Sequence, residues 1–151
     1  MQVLEILSIL IMGWVAGAES GSWLCVHPVI ARLPANEEIA FQKGLLKTFG
    51  RVMPVLMPLS LVLVIAGYIG HPAKASTSGL LQLISCVVLG SAIVTTVLFN
   101  VPVNAATGRW KDGDHSKDWQ RKRKLWRFFQ GYRALAFIVV FALLVIAMQT
   151  P

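Results

Sequence analysis

The 151-residue chain is poor in charge, with Asp, Glu, Lys and Arg making up only 14% of it. A soluble domain carries about 25%. Positive charge is missing altogether before Arg32. A secretory signal peptide begins with a positive n-region, so the small residues Val15-Ala16-Gly17-Ala18 are not read as a cleavage site. Cysteine occurs only at Cys25 and Cys86. These lie toward opposite ends of their apolar segments, too far apart along the membrane normal for a disulfide. Histidine occurs only at His27, His71 and His115, at depths that do not match, which excludes a haem held by two histidines within the chain. Cys25 and His27, two apart on a helix, point roughly 200° apart and make a poor chelate. No metal cluster, Gly-rich nucleotide loop or nucleophile elbow is written in the sequence, so no cofactor is expected.

What the chain has is apolar length. Hydrophobic residues make up 56%, in four runs: Ile6 to Val26, broken only by Glu19, then Val52 to Ala73, Ala75 to Gly108 and Ala134 to Pro151. Each approaches or exceeds the roughly 20 residues a helix needs to cross the hydrocarbon core. Backbone amides in lipid must be satisfied within the segment or in a closed barrel, and runs without strict alternation select the helix. The expected fold is therefore all-α: an integral membrane four-helix bundle forming a single domain over 1–151. Its helices are placed at Leu7 to Ile30, Met53 to Ile69, Leu80 to Phe99 and Phe129 to Met148. Pro54 and Pro58 then fall in the first turns of the second helix, Asn100-Val101-Pro102 ends the third, and an amphipathic juxtamembrane extension from Trp119 precedes the fourth.

Charge orients the bundle. The first and third connections hold 12 Lys and Arg residues and the second holds only Lys74. The positive-inside rule puts segments 31–52 and 104–128 in the cytoplasm and both termini outside, in a multi-pass protein of the cell (inner) membrane. The basic run at Trp119 to Phe129, interleaved with aromatics, suits anionic lipid better than nucleic acid, and no recognition motif accompanies it. Membrane lipid and a hydrophobic small molecule are the partners expected, and nucleic acid is not. Gly13, Gly17 and Gly21, four apart, form a small-residue stripe that admits a second helix, either within the bundle or from a second copy.

Glu19, Trp23 and His27 are also four apart and are expected on one helix face. An acidic group deep in hydrocarbon costs about 2.5 to 3.5 kcal/mol to insert, so Glu19 should face other helices. His27, Asn100, Asn104 and Arg133 all fall at helix ends on the basic side, and they are expected around one cytoplasm-facing pocket, with His27 linked to an Asn or to Arg133 through hydrogen bonds. Arg133 can reach lipid phosphates or turn inward as an anion clamp.

These elements, in their order and spacing, give the chain its resemblance to a family. The Gly-rich first helix running into Cys25-Val26-His27-Pro28 and Leu33-Pro34, the stretch Phe99-Asn100-Val101-Pro102-Val103-Asn104, and Trp119 with Trp126 leading to Arg133 resemble the anthrone oxygenase-like family of small four-helix membrane proteins. The resemblance implies a monooxygenase, an oxidoreductase that converts a tricyclic anthrone to an anthraquinone with molecular oxygen and no cofactor. Under it His27 is the base, Arg133, Asn100 and Asn104 hold the enolate oxygen, Trp23 and Trp126 contact the rings, and Glu19 lines the substrate site. Family members often carry Asn shortly before the arginine, where this chain has Gln130-Gly131-Tyr132. The reading from a different class is a non-catalytic membrane protein, a partner subunit or small-solute carrier, in which His27 and Arg133 matter only for assembly.

Overall fold

The computed structural model describes residues 2–110 and 117–150. Helix dominates it, in four segments long and apolar enough to cross a membrane: α1, Val3–Ile30; α2, Ala35–Gly70; α3, Thr77–Arg109; and α4, Lys117–Gln149. Each helix packs on the next in sequence and α4 closes onto α1, which makes a four-membered ring.

The helices outrun the apolar spans. At about 1.5 Å per residue, the 36 residues of α2 reach about 54 Å, against roughly 30 Å of hydrocarbon. The excess lies at the Ala35 end. Glu37 and Glu38 sit in its first turn, where negative charge suits the helix dipole, and no breaker follows before Pro54. The second helix therefore starts far ahead of the expected Met53, and Pro54 and Pro58 stand well inside it. At the opposite end Ser76 caps α3, its hydroxyl accepting from the Gly79 amide at 3.2 Å. A Cβ on Gly79 would come within 2.6 Å of the Lys74 carbonyl, so only glycine fits this turn.

The expected end of the third helix at Phe99 is also displaced. Its chain continues through Asn100-Val101-Pro102 to Arg109 because Thr96–Asn100 forms a π-helical turn. The Val101 amide bonds to the Thr96 carbonyl, five residues back. The same device stands in α1, where Ser22–Val26 is π-helical and the His27 amide bonds to the Ser22 carbonyl. In each case a proline stands two residues beyond the turn, Pro28 or Pro102. A proline ring inside an α-helix clashes with the carbonyl four residues back and has no amide to offer it. The wider turn takes up both defects while the helix continues.

The apolar core fills the half of the bundle nearer the termini. Met12, Val15, Leu89, Phe137 and Val140 are fully buried there, with Val64 beside them. Gly13 is part of this packing, since a Cβ on it would meet the Phe141 ring at 2.9 Å. The glycine stripe is therefore split. Gly13 serves contact between α1 and α4 within the chain, whereas a Cβ on Gly17 or Gly21 would meet nothing within 4 Å. The other half of the bundle holds the buried charged groups and a hollow.

Candidate functional site: a polar cavity

The cavity measures about 290 Å³ and all four helices contribute to its wall. At roughly 30 Å³ per water, that is the room of about ten waters, near the lower end of the roughly 300 to 1,000 Å³ of small-molecule sites. Most of the wall is apolar, with Met53, Met57, Phe49 and Ile93 among its members. Pro54 and Pro58 stand on it too, and neither has an amide to offer the carbonyl four residues back, that of Gly50 or of Pro54.

One end is closed by a charged network. Glu19 is 1% exposed. Its Oε2 accepts from Gln130 Nε2 at 2.7 Å, Arg133 Nη2 at 2.8 Å and Arg133 Nε at 3.1 Å. Arg133 Nη2 also donates to Gln130 Oε1, and Nη1 donates to the Thr96 hydroxyl at 3.3 Å. Thr96 in turn donates to the Ala92 carbonyl at 2.7 Å, a bond made within α3 at the start of the π turn. Four of the five guanidinium N–H groups are thus engaged, and one on Nη1 is left for a ligand. Glu19 faces the bundle interior as its burial cost demands.

His27, 6% exposed, lies further along the wall. Its ring meets the edge of Trp126, centroid to centroid 4.7 Å and 65° between planes. Among the described residues no hydrogen bond engages the imidazole, so the expected link to an Asn or to Arg133 is absent. Asn104, Ser22 and Gln42 add to the polar lining.

Glu19, His27, Asn104, Trp126 and Arg133 are therefore on one cavity wall, while two other expected members are not. Asn100 is fully buried behind it, where Nδ2 donates to the Trp126 carbonyl at 3.1 Å. It fastens α3 to α4 beside the tryptophan. Trp23 points away from the cavity, exposed on one side and lying on Gly131 on the other, where an added Cβ would come within 2.8 Å of the indole. The displacement of Trp23 follows from the π turn: a spacing of four marks one face only at 3.6 residues per turn. With Ser22–Val26 wound wider, Ser22 and His27, five apart, share the buried face. The indole also gives Gly131 a reason to lack a side chain.

Reasoning from the sequence missed Gln130, Thr96 and Ser22. Two signals point to them. Gln130 stands three residues before Arg133, the spacing of helical neighbours. Ser22 and Thr96 each stand six residues before a proline, with Leu24 and Leu98 two positions on in both.

Beyond Trp126 a second charged group is packed between α2 and α4. Arg123, 1% exposed, stacks over the Trp126 ring at 4.2 Å, and its Nε lies 3.6 Å from Glu38 Oε1. Arg127 Nη1 lies 3.7 Å from the same oxygen. Among the described residues no three His, Cys, Asp or Glu side chains gather in a way that would hold a metal.

Comparison with known proteins gives one family: the Anthrone oxygenase family model matches residues 44–143. The match covers α2 from Gly44 onward, all of α3, and α4 as far as Leu143, past the site residues of that helix. No curated protein and no solved structure matches the chain.

Proposed function

Because the chain belongs to the anthrone oxygenase family, we propose that it oxidises a flat, apolar aromatic of the anthrone kind inside this cavity, using molecular oxygen and no cofactor. The observation that carries the reading is a cavity of about 290 Å³ whose mostly apolar wall presents an unengaged imidazole, His27, together with a held guanidinium, Arg133. An apolar tricycle partitions from lipid into such a space, and the few polar groups orient it.

The carbon to be oxidised is a methylene between two rings, conjugated to the carbonyl opposite. His27 takes one of its protons, and the electron pair delocalises onto the carbonyl oxygen as an enolate. The free N–H of Arg133 and the Asn104 amide hold that oxygen. The electron-rich anion passes one electron to O₂. The resulting radical and superoxide combine at the ring carbon, and the proton held by His27 completes a hydroperoxide. Loss of the second C–H proton, with breakage of the O–O bond, releases water and leaves a carbonyl. One O₂ enters, one oxygen atom stays in the quinone and the other leaves as water. Asn100 acts through Trp126, whose position it fixes, and Glu19 and Gln130 act through Arg133. In this reading the basic ends of α2, α3 and α4 face the cytoplasm, as the distribution of Lys and Arg directs.

One observation favours the non-catalytic reading: Glu19 and Arg133 are paired through two bonds to Glu19 Oε2, as a structural pair would be. Oxygen consumption by the full chain in lipid nanodiscs decides between the two. Added anthrone should be converted with one O₂ used per quinone formed, faster than in empty nanodiscs. A rate equal to that of empty nanodiscs puts the non-catalytic reading first.

A further inference from the structure

The buried polar groups at the end of the cavity remote from Glu19 are unbalanced in two respects. The first is charge. Glu19 and Arg133 cancel, but Glu38, 5% exposed, is opposed both by Arg123, 1% exposed, and by Arg127, whose side chain is 38% exposed, which leaves one positive charge in excess at this end. The second is hydrogen bonding. Nε, Nη1 and Nη2 of Arg123, Nε2 of Gln42 and Nε1 of Trp126 are all buried without an acceptor among the described residues. All five atoms are donors, and beside them the unpartnered acceptor among the described residues is Asn100 Oδ1, behind Trp126. Buried donors in native proteins are almost always paired, with protein, water or ligand.

The groups are contiguous. Gln42 follows Glu38 by one turn of α2, Glu38 pairs with Arg123, and Arg123 covers the ring of Trp126. Gln42 and Trp126 are themselves on the cavity wall. Trp126 and Arg133 are seven residues apart on α4, about 10 Å at ~1.5 Å per residue, which is about the long dimension of three fused rings.

Resting on the oxygenase reading above, we propose that this end of the cavity is an anion subsite: the aromatic ligand carries one negatively charged oxygen substituent, a carboxylate or an ionised phenol, held near Gln42 and Trp126 in the field of Arg123 and Arg127. A monoanion offsets the excess charge and offers an acceptor to Gln42 and Trp126, the two of these residues that line the cavity. Held there, the ligand is threaded in one direction, with its anionic end by Trp126, where His27 also stands, and its opposite end toward Arg133. A neutral ligand of the same shape leaves the excess charge uncompensated in a medium of low dielectric, where charge interactions are strong.

Anthraquinone-2-carboxylate and neutral 2-methylanthraquinone test this, because both are already oxidised and their binding involves no turnover. Binding to the full chain in neutral detergent is followed by quenching of tryptophan fluorescence. The carboxylate should bind at least tenfold tighter. Arg127→Gln, at a half-exposed position, should reduce that preference several-fold by leaving Glu38 and Arg123 matched, and Arg123→Met should abolish it in protein that remains folded. If Arg123→Met does not fold, Arg127→Gln alone decides. Equal affinity for the two quinones overturns the proposal, as does a preference that Arg127→Gln leaves unchanged. Anthrone oxidation without any preference for the carboxylate sinks the subsite and leaves the oxygenase reading standing. A preference without oxidation does the reverse.

Discussion

Glu19→Leu and Arg133→Leu, singly and together, probe the network that closes the cavity. Each single change strands a buried partner. Without Glu19, the Arg133 guanidinium, its side chain 10% exposed, loses both bonds to the carboxylate and keeps only Gln130 and Thr96. Without Arg133, a carboxylate 1% exposed keeps only the Gln130 amide. Breaking a buried ion pair by removing one partner costs about 3 to 5 kcal/mol, whereas replacing both with apolar groups of similar volume is often neutral or stabilising. The double variant should thus be more stable than either single, with a coupling energy of about 2 kcal/mol or more. Reversible unfolding of the detergent-solubilised chain by SDS, followed by far-UV circular dichroism, gives the four free energies of the cycle. Additive losses, with coupling within about 0.5 kcal/mol, would refute the claim that the two groups exist as a pair.

Gly131→Ala should destabilise by about 1 to 3 kcal/mol, the cost of overpacking, because its Cβ would meet the Trp23 indole at 2.8 Å. In a Trp23→Ala background the same change should cost little, and an unchanged penalty in that background would show that the indole is not the obstacle. For the orientation, single cysteines replacing Ala75 and Lys124 in a chain lacking Cys25 and Cys86 should label from outside intact cells and only after permeabilisation, respectively. The opposite pattern would place the basic ends outside.

The membrane-crossing helices were legible because burial in lipid demands apolar runs that few other structures produce, and Val52 to Ala73 is unmistakable on that ground. Their ends were not. The first turns of α2, with Glu37, Glu38 and Lys43, are as charged as any water-exposed helix, and hydrophobicity cannot separate such a helix from a loop. Asn100-Val101-Pro102 carries two ordinary stop signals that a π turn overrides, and turn width is not encoded in a hydrophobic pattern.

The same contrast runs through the site. Glu19 and Arg133 stood out as charges inside apolar segments, a placement with a cost that needs a partner. Gln130 and Thr96 are uncharged and common near interfaces, so their place in the network showed only when α3 and α4 were brought together. Trp23 was misplaced by a regular helical period, and the spacing of Ser22 and Thr96 from their prolines is the pattern that would have corrected it.

Whether the cavity histidine takes the proton from the substrate is tested most directly by anthrone-dependent oxygen uptake of His27→Ala in nanodiscs. This is compared with the parent protein, both corrected for the spontaneous rate, in preparations with the same helical content and the same affinity for a quinone. General base catalysis contributes typically 10²- to 10⁴-fold, so the variant should lose about that factor in its corrected rate while still binding the quinone. A variant that consumes oxygen as fast as the parent would contradict the assignment of His27 as the base.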